Sequence, residues 1–289
     1  GNIAYNDYPN NLQGEGFHYK ESRNMMYEGA LIVATGYDNI SNTARGSAGS
    51  AKNWDFRIGE VITKNEPGQF AAQSAQTIFN DDHDTSDAGV DVVNHFYQYN
   101  SEGMQNVSVI VYDIINKSGE KQDSVFAGMY IDWDILPDVY HNICYLDTSS
   151  NIAFTDPQKP EAPFGAIEMI SDHKLNYFAI DNDGSTPDNP GVYDGFTYSE
   201  KWDMLSGGIQ RISSSRTDAS MVIGGGPVSL FPDDTMRVTF LIGAGQSPEI
   251  IKESFAMTKD NLLQNLNPSD VRYFTDSNKF TALYPNPLY

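Results

Sequence analysis

Two carboxylates, Asp132 and Asp134, flank Trp133 at the end of the run V-F-A-G-M-Y-I-D-W-D-I, residues 125–135. Side chains alternate faces along an extended chain, so the pair shares one face at about 7 Å, twice the rise per residue. Two acids so placed can chelate a hard cation such as calcium, or act as an acid and a base. The spacing also fits the range of about 5 to 10 Å between the carboxylates of glycosidases. A solvated strand end is the plain alternative.

A second acidic stretch, Asp181-Asn182-Asp183-Gly184-Ser185, has the D-x-D-G opening of a calcium loop. An EF-hand needs a bidentate Glu at the twelfth loop position, which here is Val192, so that geometry is excluded. A different oxygen-rich site remains open, drawing on Asp181, Asp183, Asp188 and Asp194 beside Asp132 and Asp134. Turn formation is the competing role for this loop. Asp81, Asp82, His83, Asp84, Asp87 and Asp91 make a third, equally ambiguous cluster.

Other chemistries find little support. His18, His83, His95, His141 and His173 show no zinc-hydrolase spacing, and no G-x-S-x-G or P-loop occurs. No catalytic residue is assigned. His95, in an aromatic run, is either a core residue or part of a sugar site. Trp133, with Trp54 and Trp202, could form a carbohydrate-stacking platform, although aromatics more often fill cores. The single cysteine, Cys144, allows no disulfide within the chain and no cysteine zinc cluster; its apolar neighbours predict a small core residue.

The elements that must position these groups read as strands. In residues 125–135 the odd positions are all apolar, and residues 107–115 (V-S-V-I-V-Y-D-I-I) are apolar nearly throughout, as in a central strand. The polar link 116–123, with Gly119, predicts that the two form a long hairpin ending at the acid pair. Further strands are expected over 30–35, 56–62, 92–99, 143–147, 152–155, 164–170, 174–180, 221–226 and 235–243. Residues 69–79 suit either a strand or a short helix. The triplet Gly224-Gly225-Gly226 before Pro227 reads as a strand-end turn. Thr197-Tyr198-Ser199-Glu200 is a capping box, and Gly207-Gly208 stops the helix it opens. Ser247-Pro248-Glu249 starts a second helix, continued by Ile251, Phe255, Leu262 and Leu266.

Strands at intervals of roughly 8 to 15 residues with turn signals between them predict a mainly β protein. The expected fold is a large antiparallel β-sandwich, of the supersandwich or mutarotase-like kind, with a few short helices, one near the C-terminus. Residues 1–267 are expected to form one domain, followed by a linker over 268–289. Of 289 residues, 39 are acidic and 18 are Lys or Arg, a net charge of −21. Such a surface repels phosphate backbones, which argues against nucleic acid, and suits an extracellular chain that holds divalent cations. No run of 18 apolar residues exists, so membrane insertion by a helix is not expected.

The C-terminal residues Leu283-Tyr284-Pro285-Asn286-Pro287 resemble the opening of the C-terminal sorting domain of type IX secretion cargo in the Bacteroidetes and their relatives. E-G-A-L from Glu28, A-G-M-Y-I-D-W-D-I from Ala127, A-I-D-N-D-G from Ala179 and Y-D-G-F-T-Y-S-E-K-W-D-M-L-S-G-G from Tyr193 resemble an accessory region of secreted, subtilisin-like bacterial proteins. There such a region lies between the protease domain and the sorting domain. The resemblance implies export across the outer membrane, a secreted or cell-surface location and an upstream catalytic domain as partner. It implies no catalytic residue in this region, and the subtilisin serine motif is absent. The role it implies is a non-catalytic accessory or spacer module, or one that binds a polysaccharide or protein substrate. The alternative is a carbohydrate-active enzyme or carbohydrate-binding module, with Asp132, Asp134 and His95 as its candidates.

Overall fold

The structure is a computed structural model that describes residues 2–5, 16–48, 52–68, 71–82 and 87–265. The sequence-predicted sorting motif at 283–287, the linker, Leu266, His83 and Asp84 lie outside the described residues. The chain begins with β1 (Asn2–Tyr5), β2 (Met26–Gly36), β3 (Asn39–Asn42), β4 (Arg57–Asn65), β5 (Gln73–Asn80) and β6 (Val90–Gln98). Next come β7 (Val107–Asn116), β8 (Gln122–Trp133), β9 (Ile143–Asp147), β10 (Ile152–Asp156), β11 (Phe164–Met169) and β12 (Leu175–Asp181). A small hairpin, β13 (Ser185–Thr186) and β14 (Asn189–Pro190), precedes helix α1 (Tyr198–Ser206). The remainder is β15 (Ile209–Arg211), β16 (Ala219–Leu230), β17 (Thr235–Gly245) and helix α2 (Pro248–Asn265).

These strands build two large, mostly antiparallel sheets. The first runs β1-β2-β8-β16-β12-β15, with β3 also on β2; the second runs β4-β5-β6-β7-β17-β11-β10-β9. Only β12 and β15 pair in parallel in the two sheets as described. The sheets face each other across one apolar core. Met129 and Trp133 of β8 and Ile223 of β16 meet Tyr112 of β7 and Phe240 of β17 there. The protein is a β-sandwich, as its alternating apolar positions predict.

Each sheet is also covered on its outer face. Phe126 and Tyr130, the even positions of β8, join Ile32, Phe178 and Val222 beneath Met204 and Leu205 of α1. Val109, Phe154 and Leu241 of the second sheet lie beneath Ile251 and Phe255 of α2. The layers therefore run helix, sheet, sheet, helix. The capping box at the start of α1 forms as expected: the Thr197 side chain accepts from the Glu200 backbone N–H, and the Glu200 carboxylate accepts from that of Thr197. Among the described residues no helix is long and apolar enough to cross a membrane.

Two expectations are corrected. Strands β7 and β8 do not form a hairpin. β7 pairs with β6 and β17, β8 with β2 and β16, so the link between them crosses from one sheet to the other. A polar loop serves an inter-sheet crossing as well as a hairpin; both strands are apolar on the faces they turn toward each other, and that face-to-face burial wins. Residues 224–226 do not end a strand either, but lie inside β16, with a register shift between Gly225 and Val228. A Cβ on Gly224, or on its neighbour Gly128 in β8, would come within 2.6 Å of Leu205. The missing side chains let α1 settle onto the sheet.

Candidate metal centre

The outer face of the first sheet is apolar under α1 and polar at one end. The parity of each strand sets this boundary. Phe178 and Ile180 of β12 face outward, so the next residue on that face is Asn182, whereas Asp181 turns the other way. On β16 the outward positions are Val222 and Ser220, and one step further back is Asp218. On β8 they are Phe126 and Tyr130, then Asp132. On β2 Ala30 and Ile32 continue to Glu28, which stands opposite Asp132. Four strands thus deliver Glu28, Asp132, Asp218 and Asn182 to one place.

Asp132, Asp134 and Asp218 each offer a carboxylate oxygen, and these oxygens lie within 4.8 Å of one another. Ligands about 2.4 Å from a common calcium ion can be no further apart than about 4.8 Å, so the three can share one cation. Asn182 organises them. Its amide nitrogen donates to Asp218 Oδ1 at 2.9 Å and lies 3.4 and 3.5 Å from the two oxygens of Asp132. Its own carbonyl accepts from the Ser220 hydroxyl at 2.6 Å. The Tyr193 hydroxyl donates to the other Asp218 oxygen at 2.6 Å. Beside them Asn142 is fully buried, with its Oδ1 lacking a hydrogen-bond partner in the protein; its backbone carbonyl accepts from Thr217, next to Asp218.

The charges are unbalanced. Asp132 is 2 % exposed and Glu28 is fully buried. The nearest cation is Arg45, 3.5 Å from Asp132 and 3.8 Å from Glu28; it also acts on Asp134, while Lys52 and Lys201 act on Glu28 from further off. Burial, then the charges of Asp134 and Asp218, pushes the Asp132 carboxyl well above the usual range, with Arg45 opposing. Asp134 is pushed up to about 6 by burial and by Asp218. Burial raises Glu28 as well, against the pull of Arg45. Without a further cation beside them, Asp132 and Asp134 can relieve this repulsion only by taking up protons. A divalent ion would remove the conflict.

The expected six-aspartate set therefore divides. Asp132 and Asp134 converge, joined by Asp218, which the sequence reading missed; its position one strand period before Ser220 and Val222 is the signal that could have found it. Asp181 is instead held by Arg211 at 2.9 Å, the Ser215 backbone N–H at 2.7 Å and Asn189. Asp183, Asp188 and Asp194 are exposed and stand apart from the three-acid group. The acidic loop contributes its asparagine rather than its aspartates. In the third cluster, Asp81 is buried and accepts from Ser41 and from the backbone N–H groups of Ala88 and Val90, a structural role.

The expected carbohydrate residues are also separated. Trp133 lies in the core, edge-on to Phe17 at 5.4 Å, because it occupies an odd position of β8. His95 lies on the outer face of the other sheet, near Asp113 and stacked on Tyr97. Burial lowers its pKa, against the pull of Asp113. Trp202 packs on Phe126, and Trp54 is exposed beside Lys52. Cys144 is buried as expected, with burial pushing its thiol up.

No protein-family model matches this chain, and no curated protein matches it. Among solved structures it is similar to a polysaccharide lyase, with a TM-score of 0.38 and 11% identity over 84% of this chain and 28% of the lyase. The chain thus spans under a third of that protein's length, and at this likeness nothing about its chemistry follows.

Proposed function

We propose that this chain is a non-catalytic accessory module of an extracellular protein, a β-sandwich that is tied together at one end by a calcium ion. The observation that carries this reading is the convergence around Asn182 of Asp132 in β8, Asp134 just past its end and Asp218 just before β16. An ion held there would join two strands to the loop after β12. It would serve as a structural clamp, with Asp132 already sealed from solvent. In this reading the module is secreted or displayed at the cell surface and positions an upstream catalytic domain of the same protein against its substrate. The strong net negative charge and the type IX-like C-terminal residues support that location.

The test is a thermal melt in millimolar calcium against the same melt in chelator. Binding to the folded state raises stability by mass action, by about 2.7 kcal/mol at a hundredfold excess over the dissociation constant. A clear rise in melting temperature with calcium, absent in Asp218→Asn, is expected. Equal melts in calcium and chelator would end the clamp reading.

A further inference from the structure

A second candidate site lies at the end of the sandwich where β2 begins and β6 ends. There the two sheets part around a cavity of about 540 Å³, within the roughly 300–1,000 Å³ typical of small-molecule sites. Its floor is apolar: Met26, Ile110 and Ile242 are each 1% exposed. Phe17 and Phe96 form aromatic walls, and Phe17 is braced by Trp133 behind it. The rim is amide-rich, with Asn100, Gln105 and Asn106 on the turn between β6 and β7. That turn is pinned. Gln98 Nε2 donates to the Gln105 carbonyl at 3.0 Å and the Val107 carbonyl at 3.2 Å, while the Ser108 hydroxyl donates to Gln98 Oε1 at 2.7 Å.

The lining is unusual for this chain. Among the described residues around the cavity, none is Asp, Glu, Lys or Arg, in a protein with 39 acids. A described lining with no acid, lysine or arginine, whose one imidazole, His18, already meets the Ser22 carbonyl at 2.9 Å, gives an ionic ligand no fixed counter-charge, and the net charge of −21 disfavours anions further. Side-chain amides donate and accept at once, which matches hydroxyl groups that do the same. Aromatic and aliphatic surface matches the apolar C–H face of a sugar ring. A rim already fixed by its own hydrogen bonds loses little freedom on binding.

We propose that this cavity is a binding site for a neutral saccharide, with Phe17 and Phe96 stacking on a sugar ring and the amides of Asn100 and Gln105 reading its hydroxyls. This deepens the accessory-module reading by giving the module a substrate class. It shares no residue with the Asp132, Asp134 and Asp218 centre, so the two can fail separately.

The experiment is isothermal titration and saturation-transfer NMR on the whole chain with cellohexaose, xylohexaose, mannohexaose and maltohexaose. An oligogalacturonate of equal length serves as the charged comparison. Saturable binding of at least one neutral hexaose is expected, weakened at least tenfold by Asn100→Ala/Gln105→Ala, two exposed positions whose loss should leave the melting temperature in place. Phe17→Leu, which stays apolar but removes the ring, should weaken it likewise. Asp134→Asn should bind sugar as the wild type does, even if calcium no longer stabilises it. The proposal is overturned by no saturable binding to any of the four, by tighter binding of the galacturonate, or by sugar binding that the rim variant leaves unchanged.

Discussion

Glu28 and Asp132 stand opposite each other on β2 and β8, both buried, with the Arg45 guanidinium within 4 Å of each. Arg45 comes from a Ser-, Gly- and Ala-rich loop and also donates to the Val192 carbonyl at 3.1 Å. One loop cation therefore holds together two central strands and the segment leading into α1. Removing it strands two buried acids. Arg45→Met should destabilise the protein by about 3–5 kcal/mol, measured by urea unfolding, and adding Glu28→Gln should restore part of the loss. An Arg45→Met protein as stable as the wild type would show that these acids need no such partner.

The Asp134 carboxyl has a folded-state pKa of about 6, against about 3.9 in an unfolded chain. Between those values the folded state binds the extra proton, so this group's contribution to stability declines as pH rises through the window. The decline should be of order 1–3 kcal/mol in chelator. The measurable form is a difference: wild type minus Asp134→Asn, followed by denaturant unfolding from pH 4 to 7. That difference should fall with rising pH in chelator and flatten in saturating calcium. A difference that rises over the same range would contradict the raised value.

Lys201 is fully buried in α1 and donates to the Arg45 carbonyl at 2.7 Å. Burial lowers its pKa to about 7, with Asp55, Glu28 and Glu200 opposing. Between 7 and the ordinary lysine value of about 10.4 the unfolded chain holds a proton that the folded protein has released. Stability from this group therefore increases with pH across that window. Lys201→Met should remove this increase, seen as a smaller gain in unfolding free energy between pH 7 and pH 9.5 than in the wild type.

The close seat of α1 on the sheet gives a packing prediction. Gly128→Ala or Gly224→Ala would place a methyl group within 2.6 Å of Leu205 and against the backbone of the neighbouring strand. Overpacking of this kind costs about 1–3 kcal/mol. Calorimetric melts should show the loss for each variant, and Leu205→Ala should relieve part of it in a double variant.

Much of the fold was legible from strand alternation alone. The odd positions of β8 predicted the core face on which Trp133 and Met129 lie, and Thr197 with Glu200 predicted the start of α1, because alternation and capping are local. The hairpin expected between β7 and β8 failed because partner choice is not local: both strands are apolar enough to be central, and only the assembled core shows that they belong to opposite sheets. The candidate centre divides the same way. Asp132 and Asp134 were found through their spacing in one strand, and Asn182 lay within a loop already singled out. Asp218, Arg45 and Glu28 come from distant parts of the chain, and nothing in the stretches around them says that they meet Asp132. Local periodicity determined which face each side chain takes; the pairing of β2, β8, β16 and β12 decided which acids share one buried, under-neutralised space. Strand order depends on the summed burial of the whole sandwich, and no short window of sequence contains that sum.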